Sequence, residues 1–449
     1  MKKIHLFLFL LASACSTSHS PVRTISSTEA EMEYVTLCSA KGDCKKFSRL
    51  VMGTDHLAQG DWTGQGQAQP TEEEIFKVLD EAARLGINFF DTSPIYVGGV
   101  ENTLGKWIKS RKQSNPGLNL YALSKGGFPF DLFYSKKLEA GTHSQRLKEE
   151  LHREGVLDAH QAPAADGSVP LNNVPPGTYA SRLYGSQAQI EKRIAEEMAH
   201  SSKNLNGEIT VYLMHRDDGD YVKFNEVLRR KTPVRTIMQA LSAPQIADNY
   251  AFLGWSNWET SRVNESLRLA QHNQDLQKPE INSPYFSLFE MSPRTIHAGG
   301  VQVTHEEMMN PEFQKGIHFM SYSPLGGFSI LDKPEPRWEN AKRDAKLKHD
   351  QGDAYWMNVF PAIFTADNQS RWERVMKFTE SFNREHQTDY SVDQMINAFA
   401  LAHNRADFLA VGPITVEELR RTVGSLKLAK MLSPADLDYL HSGMTKPSF

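Results

Sequence analysis

The chain has 449 residues, a formal net charge of −4, 40% hydrophobic residues and 23% charged residues. Those proportions describe a soluble globular protein with ample material for a core, and one large barrel with insertions can use the whole length. The mild acidity argues against a nucleic-acid or polybasic membrane surface, and no apolar run of about 18 residues is present that could span a bilayer.

The first stretch, "MKKIHLFLFLLASACSTSHS", has two lysines, a short apolar core and small residues ending at Cys15. This is the layout of a secretory signal peptide over residues 1–14. "LASAC" resembles the bacterial lipobox, although Ala12 stands where that motif prefers Leu. The resemblance implies lipidation of Cys15, plain secretion being the alternative. A polar tether follows over 15–33, and the expected folded unit runs from 34 to 442. Two β-like runs then flank a Lys-Gly-Asp turn, so Cys38 and Cys44 are expected to clasp a hairpin if the protein is exported, and to be free thiols if it is cytosolic.

From there strand-like and helix-like runs alternate. "FSRLVMGT" reads as a strand. "QPTEEEIFKVLDEAARLG" reads as a helix with a Thr71/Glu74 capping box, an apolar face of Ile75, Val78, Leu79 and Ala82, and a stop at Gly86. "INFFDTS", "LNLYALSK", "EITVYLMHR", "YAFLGWSN", "EINSPYFSLF", "IHFMSYSPLGG" and "DFLAVGPI" continue the strands. Helices are expected at "ENTLGKWIKSR", "SQAQIEKRIAEEMAHSSKNL", "TSRVNESLRLAQHN", twice between Ser370 and Asn404, and at "TVEELRRTVGSLKLA". Eight such runs indicate a parallel α/β protein, and eight closes a (β/α)₈ TIM barrel whose chemistry sits at the C-terminal strand ends. A doubly wound open sheet is the alternative, weakened by the lack of G-x-G-x-x-G after the first strand. Residues 128–185 form a long insertion between the third and fourth barrel strands. Part of it is rich in Pro, Gly and Asn, as expected of a lid, a partner surface or a disordered excursion.

Asp91 ends the second barrel strand, Lys125 the third and His215 the fourth, and Tyr96 follows on the loop after the second. Each alone has an ordinary structural reading, as a turn residue, a packed ring, a solvated strand end or a core histidine. Barrel closure would bring all four to one mouth.

The ordered set "GINFFDTSPIYVGGVENTLGKWI", "LSKGG", "VYLMHRDD", "GWSNW", "SYSPLGG" and "AVGPITVEELRRTV" resembles the aldo-keto reductase superfamily, nearer its bacterial oxidoreductase-type members, from about Phe47 to Leu440. The resemblance implies reduction of an aldehyde or ketone, with Tyr96 as proton donor, Lys125 lowering its pKa, Asp91 holding Lys125 and His215 orienting the substrate oxygen. It implies an NAD or NADP cofactor lying on the barrel and no metal. Ser256 and Asn257 would meet the carboxamide and Tyr322 the nicotinamide ring, with Gly53, Thr54 and Asp55 beside it. Ser323, Leu325 and Gly326 would follow the pyrophosphate, and Gly412 begins the last loop.

Three departures stand out. Ser283 replaces the usual Gln after Asn282. Glu418 stands where a basic residue usually meets the adenosine 2′-phosphate, leaving Arg420 or Arg421 to reach it. The insertion is longer than is usual. The expected location is the bacterial cell envelope, lipid-anchored on the periplasmic side, with secretion second. Because nicotinamide cofactors are made in the cytosol, an exported, non-catalytic binding or scaffold protein, of the kind that potassium-channel beta subunits suggest for this fold, is the competing reading. The sequence is silent on substrate and oligomeric state.

Overall fold

In the computed structural model, described for residues 32–39, 42–57, 70–127, 183, 186–217, 232–292, 301–327, 334–352 and 354–444, eight parallel strands close on themselves. The barrel strands are β3 (Leu50–Gly53), β4 (Phe89–Asp91), β5 (Tyr121–Gly126), β6 (Ile209–Met214), β7 (Phe252–Ser256), β8 (Pro279–Ser283), β9 (His318–Ser321) and β10 (Ala406–Val411). They neighbour one another in chain order, and β10 closes onto β3 through Leu409–Leu50, Ala410–Val51 and Val411–Met52. The fold is a (β/α)₈ barrel. The open-sheet alternative is excluded by that closure. The leader, most of the tether, and the insertion apart from Leu183 lie outside the described residues.

Helices α1 (Glu72–Arg84), α2 (Val100–Ser114), α3 (Gln187–Asn204), α4 (Val234–Leu241), α5 (Pro244–Ala247), α6 (Thr260–His272) and α7 (His305–Met309) follow the first six strands in turn. Between β9 and β10 come α8 (Pro334–Asp350), α9 (Ala354–Ile363), α10 (Ala366–His386) and α11 (Val392–Leu401), and after β10 come α12 (Val416–Val423), α13 (Ser425–Ala429) and α14 (Pro434–Ser442). Local chemistry sets several starts. In α1 the Glu74 amide donates to the Thr71 hydroxyl at 3.2 Å, and the Thr71 amide donates back to the Glu74 carboxylate at 2.7 Å.

Strand alternation builds two cores. Val51, Phe89, Leu123, Val211, Leu213, Phe252, Ile281, Met320, Phe408 and Ala410 fill the barrel interior, while intervening residues face the helices. A hairpin of β1 (Tyr34–Cys38) and β2 (Cys44–Ser48) plugs one end. Its Phe47 ring lies 4.7 Å from that of Phe89 and 4.8 Å from that of Tyr121. Burying that ring completely contributes about 1.5–3 kcal/mol. Cys38 and Cys44 are opposed in the hairpin register, their Cα atoms 4.0 Å apart and their sulfurs bonded.

One expected strand is divided. "FSRLVMGT" breaks at Arg49, so Phe47 and Ser48 belong to the hairpin and Leu50–Gly53 to the barrel. The corner is fastened by the Arg49 guanidinium, which donates to Glu33 at 2.6 Å and to the Ala406 carbonyl at 2.9 Å, groups remote in sequence. Helices α4, α5, α7, α8, α9 and α14 are additional to those expected, and the run expected as one helix after β10 is divided into α12 and α13.

Candidate active site

Period-two alternation explains why the polar candidates share one mouth. Phe89, Leu123 and Leu213 point into the barrel core, and two residues further on come Asp91 and Lys125, still on β4 and β5, and His215, just past the end of β6. Val51 similarly precedes Gly53, Ile281 precedes Ser283, Met320 precedes Tyr322 and Ala410 precedes Gly412. The top layer of the barrel is therefore polar where the layers beneath are apolar.

Tyr96 comes from the loop after β4 and caps a single 3₁₀ turn over Val97–Gly99, in which Gly98 and Gly99 both take positive φ (72° and 66°). Those left-handed residues turn the chain sharply into α2 and leave the phenol over the mouth. Lys125 Nζ donates to the Tyr96 hydroxyl at 2.8 Å, to the Thr92 carbonyl at 3.1 Å, and to Asp91 Oδ1. The Tyr96 hydroxyl in turn donates to Asp91 Oδ2 at 3.3 Å. The imidazole of His215 stands edge-on to the Tyr96 ring, with centroids 6.0 Å apart. All four expected residues are thus in one constellation, with Asp91, Lys125 and His215 buried.

The electrostatics differ from expectation at one point. Lys125 was expected to lower the Tyr96 pKa. Burial, followed by the negative charges of Asp91 and Asp55, instead holds the phenol well above its ordinary value. The reason is geometric: the ammonium beside the phenol is also bonded to Asp91, so its field at the hydroxyl is largely cancelled, while desolvation disfavours phenolate. Burial likewise holds the Asp91 carboxyl above its usual value, with Lys125 and the hydrogen bonds opposing that shift. Burial, then the nearby charges of Lys125 and Arg216, push His215 well below its ordinary value, so its ring is neutral at physiological pH.

Several residues expected at a cofactor surface also have structural duties. The Thr54 amide and hydroxyl both donate to the Asp91 carbonyl, at 3.0 and 2.9 Å, and so hold the strand end. A Cβ on Gly53 would lie 3.1 Å from the Val411 carbonyl oxygen, tighter than an ordinary contact, so a side chain there would crowd the closing strand. Asn257 takes a left-handed backbone (φ 57°) and donates to the His215 carbonyl at 3.0 Å, while its Oδ1 accepts from the Tyr322 hydroxyl. Ser256 and Ser283 are buried beside it at paired strand ends. Asn282 faces the other side of β8 and donates to Gln314 at 2.9 Å. In the "SPLGG" turn the Gly326 amide closes back on the Ser323 carbonyl at 2.9 Å, which removes one N–H from those expected along a pyrophosphate.

At the corner of α12 the carboxylate and both arginines are drawn into local contacts. Glu418 turns its carboxylate onto the amides of Ile414 and Thr415 at 2.8 and 3.3 Å, completing a capping box with Thr415. Arg420 donates to Glu81 at 2.6 Å and Arg421 faces Asp393 at 3.5 Å. The residues fit the nicotinamide end of a dinucleotide, where buried amide and hydroxyl groups adjoin an aromatic ring.

Two features had no clear signal in the sequence. Arg262 at the start of α6 donates to Asp217 at 2.8 Å and to the Thr232 carbonyl at 3.0 Å, bracing the loop after β6. The buried Glu101 accepts from Ser124 at 2.6 Å and from Asn204 at 2.8 Å, tying α2 to β5 and α3 behind Lys125. Among the described residues, no group of three or more His, Cys, Asp or Glu side chains could hold a metal ion.

Comparison with known proteins agrees with this geometry. The chain is 31% identical over 129 residues to the "Putative aryl-alcohol dehydrogenase C977.14c" of Schizosaccharomyces pombe, a stretch covering 28% of this chain and 36% of that one. It therefore spans about a third of the length of that curated relative. The family model described as "Aldo/keto reductase family" matches residues 49–161 and 181–442, which takes in every barrel strand from β3 to β10, and the chain belongs to the aldo/keto reductase family.

Proposed function

We propose that the protein is an oxidoreductase that reduces an aldehyde or ketone with a nicotinamide dinucleotide, Tyr96 being the proton donor. The observation that carries this reading is the Tyr96 hydroxyl held 2.8 Å from Lys125 Nζ beside a buried imidazole. When bound, the dinucleotide supplies the hydride. His215, neutral, donates to the carbonyl oxygen and orients it. Tyr96 turns its O–H from Asp91 toward that oxygen and gives up the proton as negative charge develops there. Lys125 keeps its hydrogen bond to the oxygen left behind, and Asp91 keeps the ammonium in place. A phenol held protonated is available to donate to the carbonyl oxygen, whereas oxidation of an alcohol by the same site would start from the phenolate that burial disfavours.

Ser256, Asn257, Ser283 and Tyr322 would hold the nicotinamide end, with Gly53, Asp55, Ser323, Leu325, Gly326 and Gly412 along its path. The yeast relative's name makes aromatic aldehydes the first substrates to try. NADH or NADPH oxidation by the purified protein with such an aldehyde is the direct test, and no turnover with either cofactor across a range of carbonyl compounds would overturn the reading.

We also propose that the unphosphorylated dinucleotide binds at least as tightly as the phosphorylated one. The Glu418 carboxylate already occupies the amides at the start of α12, and both arginines of that helix face carboxylates. Two anions about 4 Å apart repel by about 1 kcal/mol in water and by more when partly buried. Glu418→Arg should shift relative affinity toward NADPH by about tenfold or more, about 1.4 kcal/mol. Loss of the cap should also lower stability by about 1 kcal/mol. Fluorescence titration of both cofactors against both proteins checks this. A wild type that already binds NADPH much more tightly refutes it.

Residues 1–15 support export with a lipid anchor, and the bonded Cys38–Cys44 pair fits an oxidising compartment. Cys15→Ser should move the protein from the membrane pellet to the soluble fraction. Soluble wild-type protein, or a variant that still pellets, counts against the anchor.

A further inference from the structure

Ser93 lies two residues beyond Asp91 and is fully buried. Its Oγ is 3.3 Å from Nδ1 of His215, a residue 122 positions away in sequence. Among the described residues this is the only hydrogen bond the hydroxyl makes.

The bond can run in either direction. If Nδ1 carried the proton, Ser93 would accept it, and the serine's own O–H, itself fully buried, would have no acceptor among the described residues. If Ser93 donates, its proton is satisfied and only a lone pair lacks a partner, which is the cheaper arrangement. A neutral imidazole has one acceptor nitrogen, and this geometry makes it Nδ1. The surroundings fix the backbone of His215 and set an aromatic ring beside the imidazole. The His215 amide donates to the Gly126 carbonyl at 2.8 Å, Asn257 holds the His215 carbonyl at 3.0 Å, and the Tyr96 ring stands against the imidazole face-to-edge.

We propose that Ser93 is a positioning residue that locks His215 in the tautomer with its proton on Nε2. That proton is the one the proposed reductase reaction, on which this inference rests, requires His215 to offer to the carbonyl oxygen. Ser93 itself touches no reacting atom. Its hydroxyl also favours the neutral ring, since protonating Nδ1 requires the serine to turn round. The charged groups facing the imidazole, Lys125 and Arg216, oppose protonation independently and are unchanged by substitution at Ser93.

The test uses full-length protein with ¹⁵N-labelled histidine. The His215 ring signals, assigned through His215→Asn, should show an unprotonated Nδ1 and a protonated Nε2 in the wild type. Ser93→Ala should give a mixture of tautomers and move the second protonation of the ring to higher pH. It should also lower kcat/KM for an aldehyde about five- to tenfold, the effect expected for one lost hydrogen bond. Ser93→Thr, which keeps the hydroxyl, should restore the ring signals. Circular dichroism confirms that each variant is folded. A wild type protonated on Nδ1, or a Ser93→Ala variant with wild-type ring signals and titration, overturns the proposal. The ring spectra decide it without reference to turnover. A wild type that shows the locked tautomer but reduces no carbonyl compound would refute the reductase reading and leave the Ser93 assignment standing.

Discussion

Tyr96→Phe is expected to abolish carbonyl reduction with the fold intact. The substitution removes one oxygen and keeps the ring, so the edge-on contact with His215 survives and no void is opened. What disappears is the hydroxyl bonded to both Lys125 and Asp91, at 2.8 and 3.3 Å. General acid catalysis contributes about 10²–10⁴-fold, and a loss of that size in kcat at nearly constant KM is the expected result. The thermal midpoint should change little, because Lys125 retains its bonds to Asp91 and to the Thr92 carbonyl. A Phe variant that reduces a test aldehyde at the wild-type rate would remove Tyr96 from the reaction.

Lys125→Met is expected to damage stability as well as turnover, and that contrast separates the two roles. Lys125 and Asp91 are both buried, with side chains 4% and 9% exposed. Removing the ammonium while keeping the carboxylate leaves a charge in a low-dielectric site, at a cost of about 3–5 kcal/mol. The cost should depend on pH, and its sign follows from burial. Asp91 already has a raised pKa, and loss of the cation, which opposes that shift, raises it further. A group whose folded pKa lies above its unfolded value favours the folded state most when protonated in both states. The deficit should therefore be least near pH 4, about the ordinary range of an aspartate, and grow as the pH rises toward the raised folded value. The double variant Asp91→Asn, Lys125→Met should recover much of the loss, because no uncompensated charge remains. Urea unfolding of the single and double variants at pH 7 and pH 5 provides the measurement. A Lys125→Met protein as stable as wild type at pH 7 would show that the buried pair is not ionised.

Neighbour chemistry along the chain carried much of the fold. The eight strand runs, the Thr71–Glu74 and Thr415–Glu418 boxes and the period-two step from Phe89 to Asp91 all depend on residues within a few positions of one another, and such signals are legible before the chain folds. That same periodicity is why Asp91, Lys125 and His215 could be placed together at one mouth from sequence. Tertiary structure decided whatever depends on distant partners or on loss of water. The break at Arg49 comes from bonds to Glu33 and to the Ala406 carbonyl, 357 positions away. The engagement of Arg420 depends on Glu81, 339 positions away, and the tautomer assigned to His215 depends on Ser93, 122 positions away. The raised pKa of Tyr96 has the same origin: a nearby lysine suggests a lowered value, but burial and the carboxylates gathered around the phenol reverse the direction, and neither exists until the barrel has closed.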